Sequence, residues 1–352
     1  MNITKMLQKM DVRYENRTDK RFIKCFCGEE CFRTVLPHMK KQHKREWDLW
    51  ISDFARLYND GWSTKRIMVK YKVMFTWTVI EKELRTYFSK HPEKYKVKKK
   101  KFVSSPPKDH EFDLPSTTVW SFPKRGKWSV HNNDYRGNWP PQLVRSLLMK
   151  YSKPNDIVLD PFVGGATTLI ESYLMGRKSI GIDISPIAIK ISKQKTRQIS
   201  KGNKNAPVII KADSKNLDEE LKKLNIKTVD LVCAHPPYLD ALKYTENFSS
   251  DLSHIDNIKD FCDKMQVIAK KLKNVLKKDG YCCVLIGDVR KNGSMVPVGF
   301  EMMKRFLDEG FKLEDTIIKV QYRDSSDPFY FKSENIKHRI AHEYLFIFKN
   351  PS

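Results

Sequence analysis

No apolar run in the 352 residues is long enough to span a bilayer, and no apolar signal region opens the chain, so a membrane-embedded or exported protein is not expected. The seven cysteines are not spaced as a disulfide framework: Cys25, Cys27 and Cys31 cluster near the N-terminus, and Cys233, Cys262, Cys282 and Cys283 sit in or near apolar segments. That distribution points to a reducing, cytoplasmic compartment. No basic amphipathic helix stands out as a membrane-surface anchor. What the chain has instead is positive charge, 66 Lys and Arg against 42 Asp and Glu, for a net +24 and a pI near 9.6. An excess of that size suits a polyanionic partner, most simply nucleic acid. The length allows more than one domain, and 40% apolar content can fill a core.

The stretch from Asp156 to Lys195 reads as strand, glycine turn, helix, strand and the start of a further helix. Ile157-Val158-Leu159 is a short apolar run of the kind a buried parallel strand needs. Asp160-Pro161-Phe162-Val163-Gly164-Gly165 interrupts it, and Ser179-Ile180-Gly181-Ile182 is the next strand, ending on Asp183. A glycine turn after one strand with an acid closing the next is nucleoside-binding geometry: the backbone approaches the ligand and the carboxylate bonds ribose hydroxyls. The spacing alone would suit a nicotinamide dinucleotide, but the three-glycine fingerprint that presents N–H groups to a pyrophosphate is missing. Val208 to Ile210, Val229 to Cys233, Tyr281 to Ile286, Phe311 to Val320 and Glu343 to Phe348 read as further strands, with helices at Pro140–Lys150, Asp260–Lys277 and Pro297–Leu307. Asp213 follows the third strand, where a lone Asp in a loop reads as a helix N-cap.

Three segments carry a family resemblance. DPFVGGATT at residues 160–168 resembles DPFxGxGTT, the first motif of the S-adenosylmethionine-dependent DNA amino-methyltransferases that act on adenine N6 or cytosine N4, with Gly165-Ala166 as a departure. His235-Pro236-Pro237-Tyr238, at the end of the fourth strand, resembles their (D/N/S)PP(Y/F/W), in a subgroup written THPPY. Residues 121–142 resemble SFPxRGxWxxHxxxYRGNWxPQ, a segment that packs over the methionine end of the cofactor.

The resemblance implies an α/β fold, a Rossmann-like class I methyltransferase with a mostly parallel seven-stranded sheet and an antiparallel last strand. It implies S-adenosylmethionine as cofactor, held by Asp160, Pro161, Phe162, Gly164, Thr167, Asp183, Asp213, Asn138 and Trp139. His235, Pro236, Pro237 and Tyr238 would be catalytic. The first side chain and a backbone carbonyl would hold the exocyclic amine while the aromatic ring stacks on a base flipped from the duplex. The resemblance leaves adenine or cytosine open as target, and a cognate restriction endonuclease open as partner. A 5-methylcytosine enzyme is disfavoured, since that chemistry needs a cysteine after proline and the chain has no Pro-Cys pair. Asp288 and Arg290 are pocket residues by the subgroup's GDxR, or a loop salt bridge.

Upstream, Cys27, Cys31, His38 and His43 form the best tetrahedral zinc set, with Cys25 as an alternative ligand. The following Trp47 to Phe88 has helical periodicity broken at Asn59-Asp60-Gly61, the pattern of a helix-turn-helix. Residues 20–92 are therefore expected to be a zinc-finger and helix-turn-helix module for double-stranded DNA. Residues 93–117 read as a basic linker and 118–352 as the catalytic domain. Two other readings stay open: an RNA base amino-methyltransferase, and a DNA-binding regulator with an inactive methylase domain, for which the His in HPPY is the one sign.

Overall fold

The computed structural model describes residues 11–14, 21–24, 30–32, 36–64, 67, 77–96, 104–132, 135, 137–201, 203, 205–237, 252, 255, 257–291, 294–322, 338 and 340–352; for 11–14, 21–24, 30–32, 36–38, 77–79 and 81–82 it gives the backbone only. The chain divides into two compact units, residues 1–98 and 99–352.

The first unit begins with three short strands, β1 (Asp11–Tyr14), β2 (Arg21–Lys24) and β3 (Glu30–Phe32), paired antiparallel in that order. Helices α1 (Leu36–Gln42), α2 (Lys44–Asn59) and α3 (Trp77–Lys90) follow. On α2 the buried Trp47, Trp50, Ile51, Phe54 and Leu57 recur at helical spacing and form its core stripe. Ile80, Leu84 and Phe88 are the corresponding buried positions of α3, and Phe88 meets Tyr58 at 6.0 Å and Tyr95 at 4.9 Å between ring centroids. The chain leaves α2 through Asp60 and Gly61, whose φ of 95° only glycine adopts at low cost. Most of the segment expected to be the middle helix of a helix-turn-helix lies outside the described residues.

The second unit is an eight-stranded sheet with helices on both faces. Its elements in chain order are β4 (Val119–Trp120), α4 (Pro141–Tyr151), β5 (Ile157–Asp160), α5 (Thr167–Leu174), β6 (Lys178–Asp183), α6 (Pro186–Ser200), β7 (Val208–Lys211), α7 (Leu217–Lys223), β8 (Val229–Ala234), α8 (Ile258–Val275), β9 (Leu276–Ile286), β10 (Val289–Lys291), β11 (Ser294–Val296), α9 (Val298–Asp308), β12 (Lys312–Val320) and β13 (His342–Lys349). The sheet order is β4-β12-β13-β9-β8-β5-β6-β7, and β13 alone runs antiparallel to its neighbours. The expected seven strands gain an eighth because Val119 and Trp120 pair with Ile318 and Lys319 at the edge. β10 and β11 form a separate hairpin that the sequence reading did not anticipate.

Alternation along the strands sorts the core into two faces. Val158, Leu231, Cys233, Cys283, Leu285 and Ile347 pack with Leu143, Val144 and Leu147 of α4. Their neighbours Leu159, Val232, Ala234, Cys282, Val284 and Phe348 pack on the other face with Phe261, Met265 and Ile268 of α8 and Phe306 of α9. Cys233, Cys262, Cys282 and Cys283 are buried free thiols. Burial pushes the Cys262 thiol up to about 11 and raises the Cys233, Cys282 and Cys283 thiols well above the ordinary cysteine range.

Part of the stretch read as a linker is held against this unit. The Arg145 guanidinium donates to the Pro107 carbonyl at 2.7 Å and to Asp109 Oδ1 at 2.9 Å, and the Ser129 N–H donates to the Ser104 carbonyl at 2.8 Å. Among the described residues, no helix is long and apolar enough to cross a membrane.

Candidate active site

Strand order reverses between β5 and β8: from β5 the chain builds outward through β6 and β7, and from β8 it builds the other way. A cleft outside the carboxyl ends of the strands forms at such a switch point. Here it leaves about 780 Å³ of empty space, part of it open to solvent. Of the residues expected to hold the cofactor, Asn138, Trp139, Pro161, Phe162, Gly164, Asp183 and Asp213 line it, and His235 and Pro237 stand at the same cleft. Asp160, Thr167 and Pro236 are not among its lining residues. Tyr238 lies outside the described residues.

The turn after β5 is pinned from several sides. The Gly164 N–H donates to Asp183 Oδ2 at 2.9 Å and the Gly165 N–H to Asn138 Oδ1 at 3.0 Å. On the carbonyl side, Ser192 Oγ donates to Gly164 at 2.8 Å, Lys195 Nζ to Gly165 at 3.1 Å, and Ser214 Oγ to Pro161 at 2.5 Å. The two glycine N–H groups that a pyrophosphate would need are thus taken by side chains, which argues against a dinucleotide. Glycine is required twice here. Gly164 has φ 46°, and a Cβ on Gly165 would lie 2.4 Å from the Asn138 amide.

Asp183 also accepts the Ser185 N–H on Oδ1 at 2.8 Å. Each carboxylate oxygen thus accepts one backbone N–H, from Gly164 and from Ser185. Asn138 spends its oxygen on Gly165, while its Nδ2 is buried and has no partner among the described residues. That donor, the bare glycine turn and the acid at the end of β6 fit a nucleoside cofactor. Asp213 caps the following turn, its Oδ1 accepting the Lys215 N–H at 3.0 Å, and it is among the residues that line the cleft.

Asp160 works from behind the wall. Its carboxylate is buried and accepts the Phe162 N–H at 2.9 Å and the Thr168 hydroxyl at 2.5 Å. Burial dominates and pushes its pKa up to about 7.

Two buried residues that sequence reasoning missed explain the tryptophan-rich segment. Glu171, on α5, accepts Trp128 Nε1 at 2.7 Å, His131 Nε2 at 2.6 Å and Arg145 Nη1 at 3.0 Å. The Trp and His of the motif therefore meet on one carboxylate, and Arg145 joins that carboxylate to Asp109. This clamp seats the segment that carries Tyr135, Asn138 and Trp139 to the cleft. Asp288 and Arg290, by contrast, do not line the cleft. Asp288 accepts the Gly299 N–H at 2.9 Å, and Arg290 donates to the His338 carbonyl at 2.9 Å.

His235 follows β8 directly and lies against Trp139, the ring centroids 5.6 Å apart and the planes tilted by 37°. Burial pushes its pKa down to about 4, so the imidazole is neutral at physiological pH, and it shares a hydrogen bond with the Gly137 backbone. A neutral imidazole has one donor and one acceptor nitrogen. It can therefore accept an amine N–H as the Asp or Asn of related motifs would.

Cys25 and Cys27, and the side chains of Cys31 and His38, lie outside the described residues. Of the expected zinc ligands only His43 is described in full; it occupies the N-cap position of α2 without a side-chain capping bond. Among the described residues no group of three or more His, Cys, Asp and Glu is placed to hold a metal.

A family model described as DNA methylase matches residues 11–194 and 229–352. The chain is 36% identical over 131 residues to the type II methyltransferase M.MjaII of Methanocaldococcus jannaschii, covering 37% of this chain and 24% of that protein. It is 32% identical over 90 residues to the DNA adenine methyltransferase YhdJ of Escherichia coli, covering 26% and 31%. A tRNA (guanine(10)-N2)-dimethyltransferase of M. jannaschii is 36% identical over 102 residues, covering 28% of each chain. The chain thus spans between a quarter and a third of the length of these curated relatives. The family match runs through both units and takes in the clamp, residues 235–238 and the cleft lining apart from Asp213, Ser214 and Lys215, and the chain belongs to the N6-adenine/N4-cytosine DNA methylase family.

Proposed function

We propose that the chain transfers a methyl group from S-adenosylmethionine to the exocyclic amine of a flipped adenine (N6) or cytosine (N4) in duplex DNA. The observation that carries the reading is the convergence of Asp183, Asn138 and His235 on one cleft at the sheet's switch point. Asp183 would take the ribose hydroxyls and Asp213 the adenine end. When bound, the cofactor supplies an electrophilic methyl on a sulfonium. His235 accepts one amine N–H, and the Pro236-Pro237 backbone turns a carbonyl toward the other. With both N–H bonds held, the nitrogen lone pair leaves conjugation with the ring and points along the line of displacement. Positioning and electrostatics are the main sources of rate. Tyr238 would stack on the base.

Residues 20–92 would read the DNA, with zinc on Cys27, Cys31, His38 and His43. The succession β2, β3, α1 around these positions supports a small finger. One zinc per chain by elemental analysis, lost with weakened DNA binding on changing His43, tests it; normal DNA affinity in a metal-free chain would overturn it. The net +24 charge and the DNA relatives favour duplex DNA, with a cognate restriction nuclease as the partner that M.MjaII's type II name suggests. An RNA target is the second reading, favoured by the tRNA dimethyltransferase relative, which also modifies an exocyclic amine.

Mass spectrometry of nucleosides from duplex DNA and tRNA, each incubated with the chain and labelled S-adenosylmethionine, decides. Labelled N6-methyladenine or N4-methylcytosine from DNA names the base, label in tRNA alone moves the substrate, and no label in either refutes the transfer.

A further inference from the structure

Behind His235, on the last two strands, lies a buried ion pair that the transfer described above does not use. β12 and β13 place Lys319 directly opposite Glu343, and Lys319 Nζ meets Glu343 Oε2 at 2.6 Å. Both side chains are nearly enclosed, at 13% and 7% exposure. A buried pair of this kind is weak evidence for stability, because desolvation offsets most of the attraction. The other carboxylate oxygen faces away from the lysine: Glu343 Oε1 lies 4.0 Å from His235 Nε2. That separation is an electrostatic contact rather than a hydrogen bond.

We propose that Glu343, held by Lys319, is a positioning residue for His235, which orients the imidazole and stabilises the cation formed when His235 takes the proton released by the methylated amine. The inference rests on the methyl-transfer reading given above. The step balances as follows. The amine lone pair forms the new nitrogen–carbon bond, and the carbon–sulfur bond breaks with its electron pair left on sulfur. One proton passes from the nitrogen, now carrying four substituents, to the unprotonated ring nitrogen. A sulfonium charge is lost and an imidazolium charge gained, so the site's net charge is unchanged. An ammonium attached to a heteroaromatic ring is a strong acid, so even a weakly basic imidazole can receive its proton. The imidazolium then lies against the Glu343 carboxylate. A carboxylate, amide or hydroxyl at position 235 would have no need of such a partner.

Three charged groups act on His235: Glu343 on β13 favours its protonated form, while Lys319 on β12 and Arg125 from the segment before α4 oppose it. Removing Glu343 and removing Lys319 must therefore move the imidazole in opposite directions, which a merely structural role would not do. The experiment is a histidine-labelled NMR titration of the full chain, with the His235 signal identified by its loss in His235→Asn. Glu343→Gln should lower the His235 pKa and Lys319→Met should raise it, each by about half a unit or more. In parallel, kcat of Glu343→Gln on duplex DNA should fall about tenfold with KM for S-adenosylmethionine within about twofold, and Glu343→Asp should restore part of the loss. A His235 titration unmoved by both substitutions in an active chain overturns this inference alone. An inactive wild-type chain overturns the methyl-transfer reading, and this role with it.

Discussion

Gly164 gives its N–H to Asp183 Oδ2 at 2.9 Å, so the acid that closes β6 is tied to the turn that closes β5, nineteen residues earlier. The same carboxylate that would bind ribose also shapes the floor the nucleoside rests on. Asp183→Asn should weaken S-adenosylmethionine binding about tenfold or more, since hydrogen bonds to charged groups contribute about 1.5–3 kcal/mol. Isothermal titration calorimetry reads this directly, and wild-type affinity in the variant would remove Asp183 from the cofactor site.

Gly165→Ala should displace the Asn138 amide, which lies 2.4 Å from where the new Cβ would stand. Overpacking of this kind costs about 1–3 kcal/mol. The melting temperature should drop and cofactor affinity with it. A variant with both unchanged would show that Asn138 swings aside freely.

His235→Asn should keep measurable turnover, because an amide oxygen can accept the same amine N–H. His235→Ala should lose about a hundredfold in kcat, the loss seen when one preorganised polar partner is removed. Cofactor affinity should hold in both. Equal activity of the alanine variant and the wild type would take His235 out of the chemistry.

Asp160 titrates at about 7 in the fold against an ordinary 3.8, with burial as the largest cause. The folded state therefore holds this proton more tightly than the unfolded one. Stability from this group is complete below about pH 4 and is lost as pH rises through about 7. Denaturation curves taken from about pH 4.5 to about pH 7.5 should show a decline that Asp160→Asn abolishes, with a limiting slope of about 1.4 kcal/mol per pH unit. An unchanged slope in the variant would assign the decline to other groups.

Glu171→Ala would strand the donors of Trp128, His131 and Arg145 in a buried site. Breaking a buried charged network by removing one partner costs about 3–5 kcal/mol. The segment carrying Asn138 and Trp139 should loosen, so cofactor binding should weaken together with global stability. Stability within about 0.5 kcal/mol of wild type would contradict the clamp.

Short apolar runs that stop at turns made β5, β6, β7, β8 and β12 legible within about a residue or two, whereas β9 begins at Leu276, ahead of the expected Tyr281, and the edge strand β4 was not anticipated. The cleft was legible where a motif supplies both residue type and spacing, as for Asp183, Asn138 and His235. The partners that hold those residues were not. Glu171 lies about forty residues from Trp128 and His131, and a lone glutamate in an apolar helix gives no sign of three donors converging on it. Glu343 and Lys319 likewise read as ordinary strand residues until the β12–β13 register sets them face to face. Asp288, one of the GDxR positions, is not among the residues that line the cleft and accepts the Gly299 N–H instead.

The four buried thiols of the second unit have a practical use. Thiolate is the reactive form, and burial holds Cys233, Cys262, Cys282 and Cys283 almost wholly as thiols at neutral pH. Alkylating reagents applied to the native chain should pass over all four. Rapid labelling then becomes a spectator-free reporter on Cys25, Cys27 and Cys31, and protection of Cys27 and Cys31 by added zinc could be followed in the intact protein with no cysteine-removal background.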